Sequence, residues 1–270
     1  MNTAPVLFGI LNITEDSFSD GGRYLEPAAA MARADFLASD GAQVIDIGAA
    51  SSNPSSKGVA PELEIARLAP VVGWLKQKRI AISVDSYSLP VQRWALAQDV
   101  EFLNDIHGFP HAELYAALAA HPAKLVVMHA VQEAGPADRT KVDPSEIFDR
   151  VATFFDRRIG ALAAAGIGRD RLILDPGMGF FLGTVAEASY TILRRLPDLK
   201  AAFSLPLLVS VSRKSFLRKL TGRRAQESGA ATLSAELFAI AQGADYIRTH
   251  DPGALRDAVL VRNALKGPSA

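Results

Sequence analysis

The chain has 270 residues, which is long for an average domain but usual for an eight-stranded α/β barrel. Its 29 basic and 29 acidic residues balance, so net charge predicts no general attraction to nucleic acid or to anionic membranes. The absence of cysteine excludes disulfides, thiolate catalysis and Cys-ligated metal sites. With no leader-like N-terminus and no long apolar run, the sequence predicts a soluble cytoplasmic protein with no membrane contact.

Short runs rich in Val, Ile and Leu recur along the chain and predict eight strands. They are nearly continuous apolar runs, which is typical of parallel strands covered on both faces. Their predicted bounds are Val6–Thr14, Ala42–Ala49, Ala81–Ser86, Glu101–Ile106, Lys124–Ala130, Arg171–Gly177, Pro206–Ser212 and Ala244–His250.

Segments with helical spacing separate these strands. Among them are Pro27–Ser39, Glu62–Gln77, Pro144–Ala165, Glu187–Ala201 and Ala230–Gln242. Prolines stand where a first helical turn tolerates them, at Pro27, Pro61 and Pro144. Glycines that predict helix C-caps follow three helices and precede strands, at Gly41, Gly166 and Gly243.

Alternating strands and helices leave two architectures, a closed barrel or an open doubly wound sheet. The G-x-G-x-x-G pattern that an open dinucleotide-binding sheet carries after its first strand is absent. The eightfold count therefore predicts class α/β, with one (β/α)8 TIM barrel formed by residues 1–270.

Each predicted strand becomes polar where it finishes, and in a barrel those ends meet on one face, where the active site lies. A single Asp there is equally well a turn former or a helix cap, but eight polar ends together indicate a site. One half is rich in cationic donors, which suit phosphate or diphosphate: Arg213, Lys214, Arg248 and His250. The other half is rich in acceptors, which suit a flat heterocycle with several N–H groups: Asp85, Asn104 and Asp175.

The amide oxygen of Asn12, beside the cationic half, suits Mg²⁺, which usually keeps several waters and bridges substrate phosphates. Two polar loops, Glu15–Gly22 and Ala49–Gly58, follow the first two strands. Phe18 in the first loop predicts a cap over an aromatic substrate, with packing on the barrel rim as the alternative.

Eight segments on successive strands resemble those of dihydropteroate synthases, and the resemblance covers essentially the whole barrel. Individually they are weak signals, but in this order they are highly specific. They are Gly9–Thr14 with Asp16–Gly22, Val44–Gly48, Ser83–Ser86, Asn104–Ile106, Met128-His129, Leu174–Phe180, Ser212–Phe216 and Ile247–His250.

The resemblance implies condensation of (7,8-dihydropterin-6-yl)methyl diphosphate with para-aminobenzoate, with Mg²⁺ bound at Asn12. It assigns the pterin to Asp85, Asn104, Asp175 and Lys214. It assigns the diphosphate to Asn12, Ser52, Arg248 and His250. It assigns para-aminobenzoate to Phe18, Pro54, Phe180, Phe181, Ser212 and Lys214. The residues expected to act in catalysis are Asp85, Asp175, Lys214, Arg248 and His250.

Two loops depart from the usual family pattern. Where most members read G-G-E-S-T-R-P-G, this chain has Ala50, Ser52 and Asn53 in place of the glutamate, threonine and arginine. After Phe180 it continues Phe181-Leu182-Gly183, a short insertion beside the expected para-aminobenzoate pocket. These departures, with the Asn104–Pro110 segment, resemble the plasmid-borne sulfonamide-resistant (Sul-type) branch. They predict weak sulfonamide inhibition, because an added aromatic side chain at the pocket mouth would clash with the sulfonyl substituent.

Two other functions stay open at this stage. A barrel aldolase would use Lys214 as a Schiff-base amine, and a non-catalytic or methyl-transfer pterin-binding module would need only the acidic half of the site. Small-molecule substrates are the expected partners. A homodimer is also expected from the family, through apolar outer helices such as Leu233–Ala241, although packing within the barrel explains such helices equally well.

Overall fold

The computed structural model describes residues 4–15, 24–52, 58–132 and 134–266. Its parallel strands form one eight-stranded sheet in the order β6-β5-β4-β3-β2-β1-β8-β7. A parallel bridge between Leu174 and Leu207 joins the two outer strands, and the backbone N–H of Leu174 donates to Pro206 O at 2.9 Å. The sheet closes through this bridge, which confirms the predicted barrel. The strands are β1 (Val6–Asn12), β2 (Val44–Gly48), β3 (Ala81–Asp85), β4 (Phe102–Asp105), β5 (Lys124–Met128), β6 (Leu172–Asp175), β7 (Leu208–Val209) and β8 (Tyr246–Thr249).

Helices cover the outside of the sheet, and short 3₁₀ turns occur between some of them. In the described ranges the α-helices are α1 (Pro27–Ser39), α2 (Pro61–Lys78), α3 (Leu89–Ala97), α4 (Tyr115–Ala120), α5 (Ile147–Ala164), α6 (Ala186–Arg194), α7 (Leu196–Phe203), α8 (Ser215–Thr221), α9 (Gly229–Ala241) and α10 (Pro252–Lys266). None of the helices in this part of the chain has the length and apolar character needed to span a membrane.

Some predicted bounds are wrong for local physical reasons. The helix predicted over Glu187–Ala201 is two helices, which meet at Arg195, because Pro197 cannot donate a backbone hydrogen bond inside a continuous helix. The helix predicted from Pro144 begins at Ile147. All eight strands are shorter than predicted, and several of them still include the polar residue that ends the apolar run, such as Asn12, Asp85 and Asp175.

The three predicted glycine caps are confirmed. Gly41, Gly166 and Gly243 have φ angles of 113°, 82° and 97°, and each comes directly after the residue that caps its helix. Side chains other than glycine rarely adopt such angles, so glycine lets the chain leave the helix and turn towards the next strand.

An apolar layer fills the N-terminal half of the barrel interior, and we call it the floor. Phe8 at its centre meets the rings of Phe102 and Tyr246 edge-on, with centroids 5.0 Å and 5.7 Å away. The floor blocks passage through the barrel, so a ligand can enter the interior only from the C-terminal face. Its residues are Phe8, Val44, Phe102, Val126, Ile173, Leu208 and, partly buried, Tyr246.

Candidate active site

Strand alternation brings the polar residues together above the floor. Side chains two positions apart on a strand point to the same face. The residue two positions after each floor residue therefore also points into the barrel. These interior positions are Ile10, Asp46, Asn104, Met128, Asp175, Ser210 and Arg248.

A deep pocket lies directly above the floor. It brings together the three predicted acceptors, Asp85, Asn104 and Asp175, with Lys214, which the family resemblance assigns to the same heterocycle. Part of its remaining wall is apolar, so a flat ring could lie against that part while its edge meets the acids. The apolar lining residues are Ile106, Met128, Met178 and Phe181.

A second, more open cleft adjoins the deep pocket on the side of β1, β2, β7 and β8. It is rich in donors and brings together the residues predicted for a phosphate group: Asn12, Ser52, Arg213, Lys214, Arg248 and His250. Both cavities are lined by Ser52, Asp85, Ser210, Lys214 and Arg248. One ligand could therefore place a heterocycle in the pocket and an anionic group in the cleft.

Arg248 is held between two carboxylates. Its Nη2 donates to Asp85 Oδ2 at 2.7 Å, and its Nε donates to Asp46 Oδ2. Asp46 is fully buried, and its second oxygen has no hydrogen-bond partner. Asp46 is not among the site residues that the sequence predicts. Its position two residues after Val44, on the inward face, is the signal that could have identified it.

Burial shifts the acids and the lysine towards neutrality. It raises the pKa of Asp85 to about 7 and that of Asp175 to about 6, although nearby positive charges oppose the change. Burial, together with the charge of Arg248, lowers the pKa of Lys214 to about 8. Burial alone would lower the pKa of Arg248, but the Asp46 and Asp85 charges outweigh it and raise that pKa. Groups that titrate this close to neutral pH are typical of active sites.

His250 differs from the cationic donor that the sequence predicts. Its Nδ1 lies 2.9 Å from Ser212 Oγ, and its backbone N–H donates to the same oxygen at 3.3 Å. Burial and the positive charges of Arg213, Arg248 and Lys214 lower the pKa of the imidazole well below its usual range. These effects oppose protonation of the imidazole, whereas an anion bound beside it would favour protonation.

Phe180 and Phe181, the first residue of the insertion, occupy different environments. Phe181 is only 6% exposed and packs with Ile106, Met128 and Ala130, whereas Phe180 is partly buried. The Phe181 ring centroid lies 4.9 Å from Lys214 Nζ, a cation–π distance. The sequence places Phe181 at the pocket mouth, but its apolar neighbours draw the ring into the wall of the deep pocket.

Two residues assigned to para-aminobenzoate, Phe18 and Pro54, lie outside the described residues, as do most of the two polar loops. Ser212 lines the cleft and is bonded to His250. Lys214, which the sequence places in both substrate sites, does lie where the pocket and the cleft meet.

Comparison with known proteins identifies the family. The family model described as pterin binding enzyme matches residues 8–250. The chain is 57% identical over 266 residues to the type-2 dihydropteroate synthase of Escherichia coli, covering 98% of each chain. It is 51% identical over 259 residues to the type-3 enzyme of the same species, covering 96% of this chain and 98% of that one. These relatives confirm the resemblance to the Sul-type branch.

Solved structures agree with this result. The dihydropteroate synthase of Yersinia pestis in a sulfonamide complex superposes with a TM-score of 0.90 at 32% identity, covering 98% of this chain and 95% of that one. The Xanthomonas albilineans enzyme with 4-aminobenzoic acid gives a TM-score of 0.88 at 34% identity, covering 99% and 95%. Similarity to synthases over nearly the full length decides against the aldolase alternative. The chain belongs to the dihydropteroate synthase family.

Proposed function

We propose that in the family's transferase reaction the deep pocket binds the pterin and the cleft binds the diphosphate. In that reaction para-aminobenzoate displaces diphosphate from (7,8-dihydropterin-6-yl)methyl diphosphate and gives 7,8-dihydropteroate. The observation that carries the proposal is the continuity of two chemically different cavities. The acceptor-rich deep pocket opens directly into the donor-rich cleft, with Lys214 and Arg248 lining both.

The deep pocket would hold the pterin. The carboxylates of Asp85 and Asp175 and the amide of Asn104 would accept hydrogen bonds from its N–H groups. Asn104 Oδ1 is buried without a hydrogen-bond partner, as expected of a group that meets a ligand. Lys214 would donate to the pterin ring edge, with its ammonium also within cation–π distance of the Phe181 ring.

The cleft would hold the diphosphate against Asn12, Ser52, Arg248 and His250. Arg248 is already positioned by Asp46 and Asp85, so little reorganisation is needed when the anion arrives. Para-aminobenzoate would enter above the pterin, between Lys214, Ser212 and the Phe180–Phe181 segment, with Phe18 and Pro54 completing its site.

The bond between the pterin methylene carbon and the diphosphate oxygen breaks with both electrons leaving on oxygen. The positive charge that develops at the methylene spreads into the electron-rich pterin, where the Asp85 and Asp175 carboxylates stabilise it. The arylamine nitrogen then forms the new C–N bond and loses a proton to solvent. At this step the protein positions the weakly basic amine and does not need to supply a strong base.

We also propose that Mg²⁺ accompanies the diphosphate beside Asn12. In the described part of the chain no three His, Asp or Glu side chains cluster to form a metal site. Asn12 lines the cleft, and its amide oxygen fits an Mg²⁺ ion that would otherwise be held by substrate oxygens and waters. When bound, the ion would offset charge on the leaving diphosphate.

A turnover assay with both substrates tests this function directly. Diphosphate and 7,8-dihydropteroate should appear in equal amounts, and EDTA should suppress both until Mg²⁺ is restored. Pterin binding without diphosphate release would instead favour a pterin-binding module. Full activity in EDTA would remove Mg²⁺ from the proposal.

The pH profile of kcat/KM for the pterin substrate should be bell-shaped, because this parameter follows ionisation of the free enzyme. Activity should rise as Asp175 and Asp85 ionise, with pKa values of about 6 and about 7. It should fall as Lys214 loses its proton, with a pKa of about 8. Lys214→Arg is the matched control: arginine stays protonated, so the alkaline limb should move up by at least about one pH unit. An unmoved limb would assign it to another group.

We propose that the insertion makes the enzyme sulfonamide-insensitive. The Phe181 ring narrows the space in the pocket beside Lys214. A bulky sulfonyl group fits there less well than a planar carboxylate. Deleting Phe181 should lower the inhibitory sulfonamide concentration about tenfold or more, with KM for para-aminobenzoate little changed. Phe181→Tyr, which keeps the bulk, is the control and should stay insensitive. A deletion variant as resistant as the parent, or a parent inhibited at low micromolar drug, would contradict this.

We propose that the enzyme is a homodimer joined at the outer face of α6, α8 and α9. Leu220 and Phe238 are 71% and 40% exposed there, beside an apolar groove that a second copy could fill. Phe238 belongs to Leu233–Ala241, the example that the sequence offers of an apolar outer helix able to supply an interface. Phe238→Glu should give a folded monomer by light scattering, whereas Leu265→Glu, on exposed α10, should keep the parental mass. A monomeric parent or a dimeric Phe238→Glu would refute the interface.

A cytoplasmic location stays a prediction.

A further inference from the structure

The turn after β4 fixes a histidine that the reaction does not use. His107 is 5% exposed, and its backbone N–H donates to Asp105 Oδ1 at 2.8 Å. Gln92 Nε2 donates to the other oxygen of the same carboxylate at 2.7 Å. The imidazole meets the ring of Tyr87 edge-on, with centroids 5.4 Å apart. Backbone and ring are therefore both held, and the ring can point in one direction only.

Gly108 shows how little freedom this turn has. It has a φ of 64°, and a Cβ there would lie 2.8 Å from the Phe154 ring and 2.9 Å from Val127 Cγ1. The turn thus fits tightly between β5 and α5, and only glycine can follow His107 in this conformation.

The His107 ring faces backbone groups of the segment that follows β5, those of Gly135 and Gln132. Its Nε2 lies 2.8 Å from Gly135 O, in the segment that follows β5. A carbonyl oxygen only accepts, so Nε2 must carry the hydrogen. Nδ1 is buried without a partner, which agrees with a neutral ring protonated on Nε2. The Nε2–H group of the ring therefore donates to the Gly135 carbonyl.

The segment after β5, which we call the strap (131–132 and 134–142), is hydrogen-bonded to two loops of the site. The backbone N–H of Ala137 donates to Ser52 O at 2.9 Å, and Ala137 is buried. Val131 N–H donates to Phe181 O at 3.0 Å. The strap thus links the turn after β4 to the loop after β2 and to the insertion after β6.

We propose that His107 is a positioning residue for Ser52. The bond from His107 to Gly135 fixes the strap two residues before Ala137, and Ala137 holds the backbone of Ser52 at the junction of pocket and cleft. The strap thereby sets where the Ser52 hydroxyl meets the diphosphate. The inference rests on the proposed contact between Ser52 and the diphosphate.

Two amide variants test the Nε2–H donor separately from the rest of the side chain. His107→Gln carries an amide N–H near the position of Nε2, whereas His107→Asn carries it near Nδ1 and cannot reach Gly135. Trypsin reports on the strap, because Arg139 and Lys141 within it are exposed. In His107→Asn, cleavage after these residues and KM for the pterin diphosphate should each rise about fivefold, the effect of one hydrogen bond. His107→Gln should match the parent in both measurements.

Combination with Ser52→Ala tests whether the effect passes through Ser52. Ser52→Ala alone should raise KM for the pterin diphosphate, and adding His107→Asn should raise it no further. Additive effects, parental cleavage of His107→Asn, or equal loss in the Asn and Gln variants would each overturn the proposal. If His107→Asn does not fold, His107→Phe, which keeps a ring without a donor, takes its place with the same expected results.

The Ser52–diphosphate contact and the contact between His107 and the strap are tested separately. A parental KM in Ser52→Ala would show that the assumed Ser52–diphosphate contact is wrong, and it would overturn the positioning role with it. The proteolysis difference between the Asn and Gln variants would still report whether His107 holds the strap.

Discussion

Asp175→Asn should lower kcat/KM for the pterin diphosphate about 100- to 1,000-fold, similar to the loss of one preorganised group at a transition state. The variant keeps the shape of the side chain and the oxygen that accepts the Gly177 N–H at 2.8 Å. It removes the negative charge that, in the proposed site, stabilises the cationic pterin. Because charge at the methylene develops only in the transition state, kcat should fall more than KM rises.

Lys214→Ala should cause a loss of similar size for a different reason. Lys214 lines both cavities, and its ammonium lies 4.9 Å from the Phe181 ring centroid. In the proposed site its removal takes away a donor to the pterin and to the neighbouring substrate, so KM for both substrates should rise as kcat falls.

A carboxylate at the opposite end of the barrel provides the control for both variants. Asp245 accepts hydrogen bonds from Lys200 Nζ at 2.7 Å and from Leu207 N–H at 2.8 Å, before β8 begins. Asp245→Asn should reduce stability somewhat and leave steady-state kinetics near parental. Near-parental kinetics in both Asp175→Asn and Lys214→Ala, each with normal thermal unfolding, would refute the assigned pterin site.

The sequence predicts the barrel and most of this site because both depend on local periodicity. Apolar runs of the right length identify the strands, and the polar residue that ends each run must come to the shared C-terminal face. Asp85, Asn104 and Asp175 could therefore be grouped without coordinates, whereas only the family resemblance placed Lys214 with them. The break between α6 and α7 was missed, although Pro197 marks it, because helical spacing continues on both sides.

Other features depend on contacts between distant segments, which periodicity does not encode. Asp46 and Arg248 are 202 residues apart, and their pairing follows from the closure of the barrel. The burial of Phe181 depends on Ile106 and Met128 from two other strand ends. The bond between the Ala137 N–H and the Ser52 carbonyl involves only backbone atoms, so the side-chain pattern carries no sign of it.

Arg248→Met should reduce both stability and activity, because Arg248 balances two buried carboxylates. Asp46 is fully buried, so the variant would leave its charge uncompensated at a cost of about 3–5 kcal/mol in the free energy of unfolding. Chemical denaturation should show this loss, and kcat/KM should fall at least about 100-fold since the diphosphate loses its fork of donors.

The double variant Asp46→Asn/Arg248→Met separates the structural role of Arg248 from its catalytic one. Removing the Asp46 charge along with its partner eliminates the uncompensated carboxylate, so more than half of the lost stability should return. Activity should stay low, because no donor faces the diphosphate from β8. If the double variant regained activity as well as stability, Arg248 would serve only to neutralise the acids around it. If it regained neither, the destabilisation would come from lost packing of the long Arg248 side chain rather than from the buried charge of Asp46.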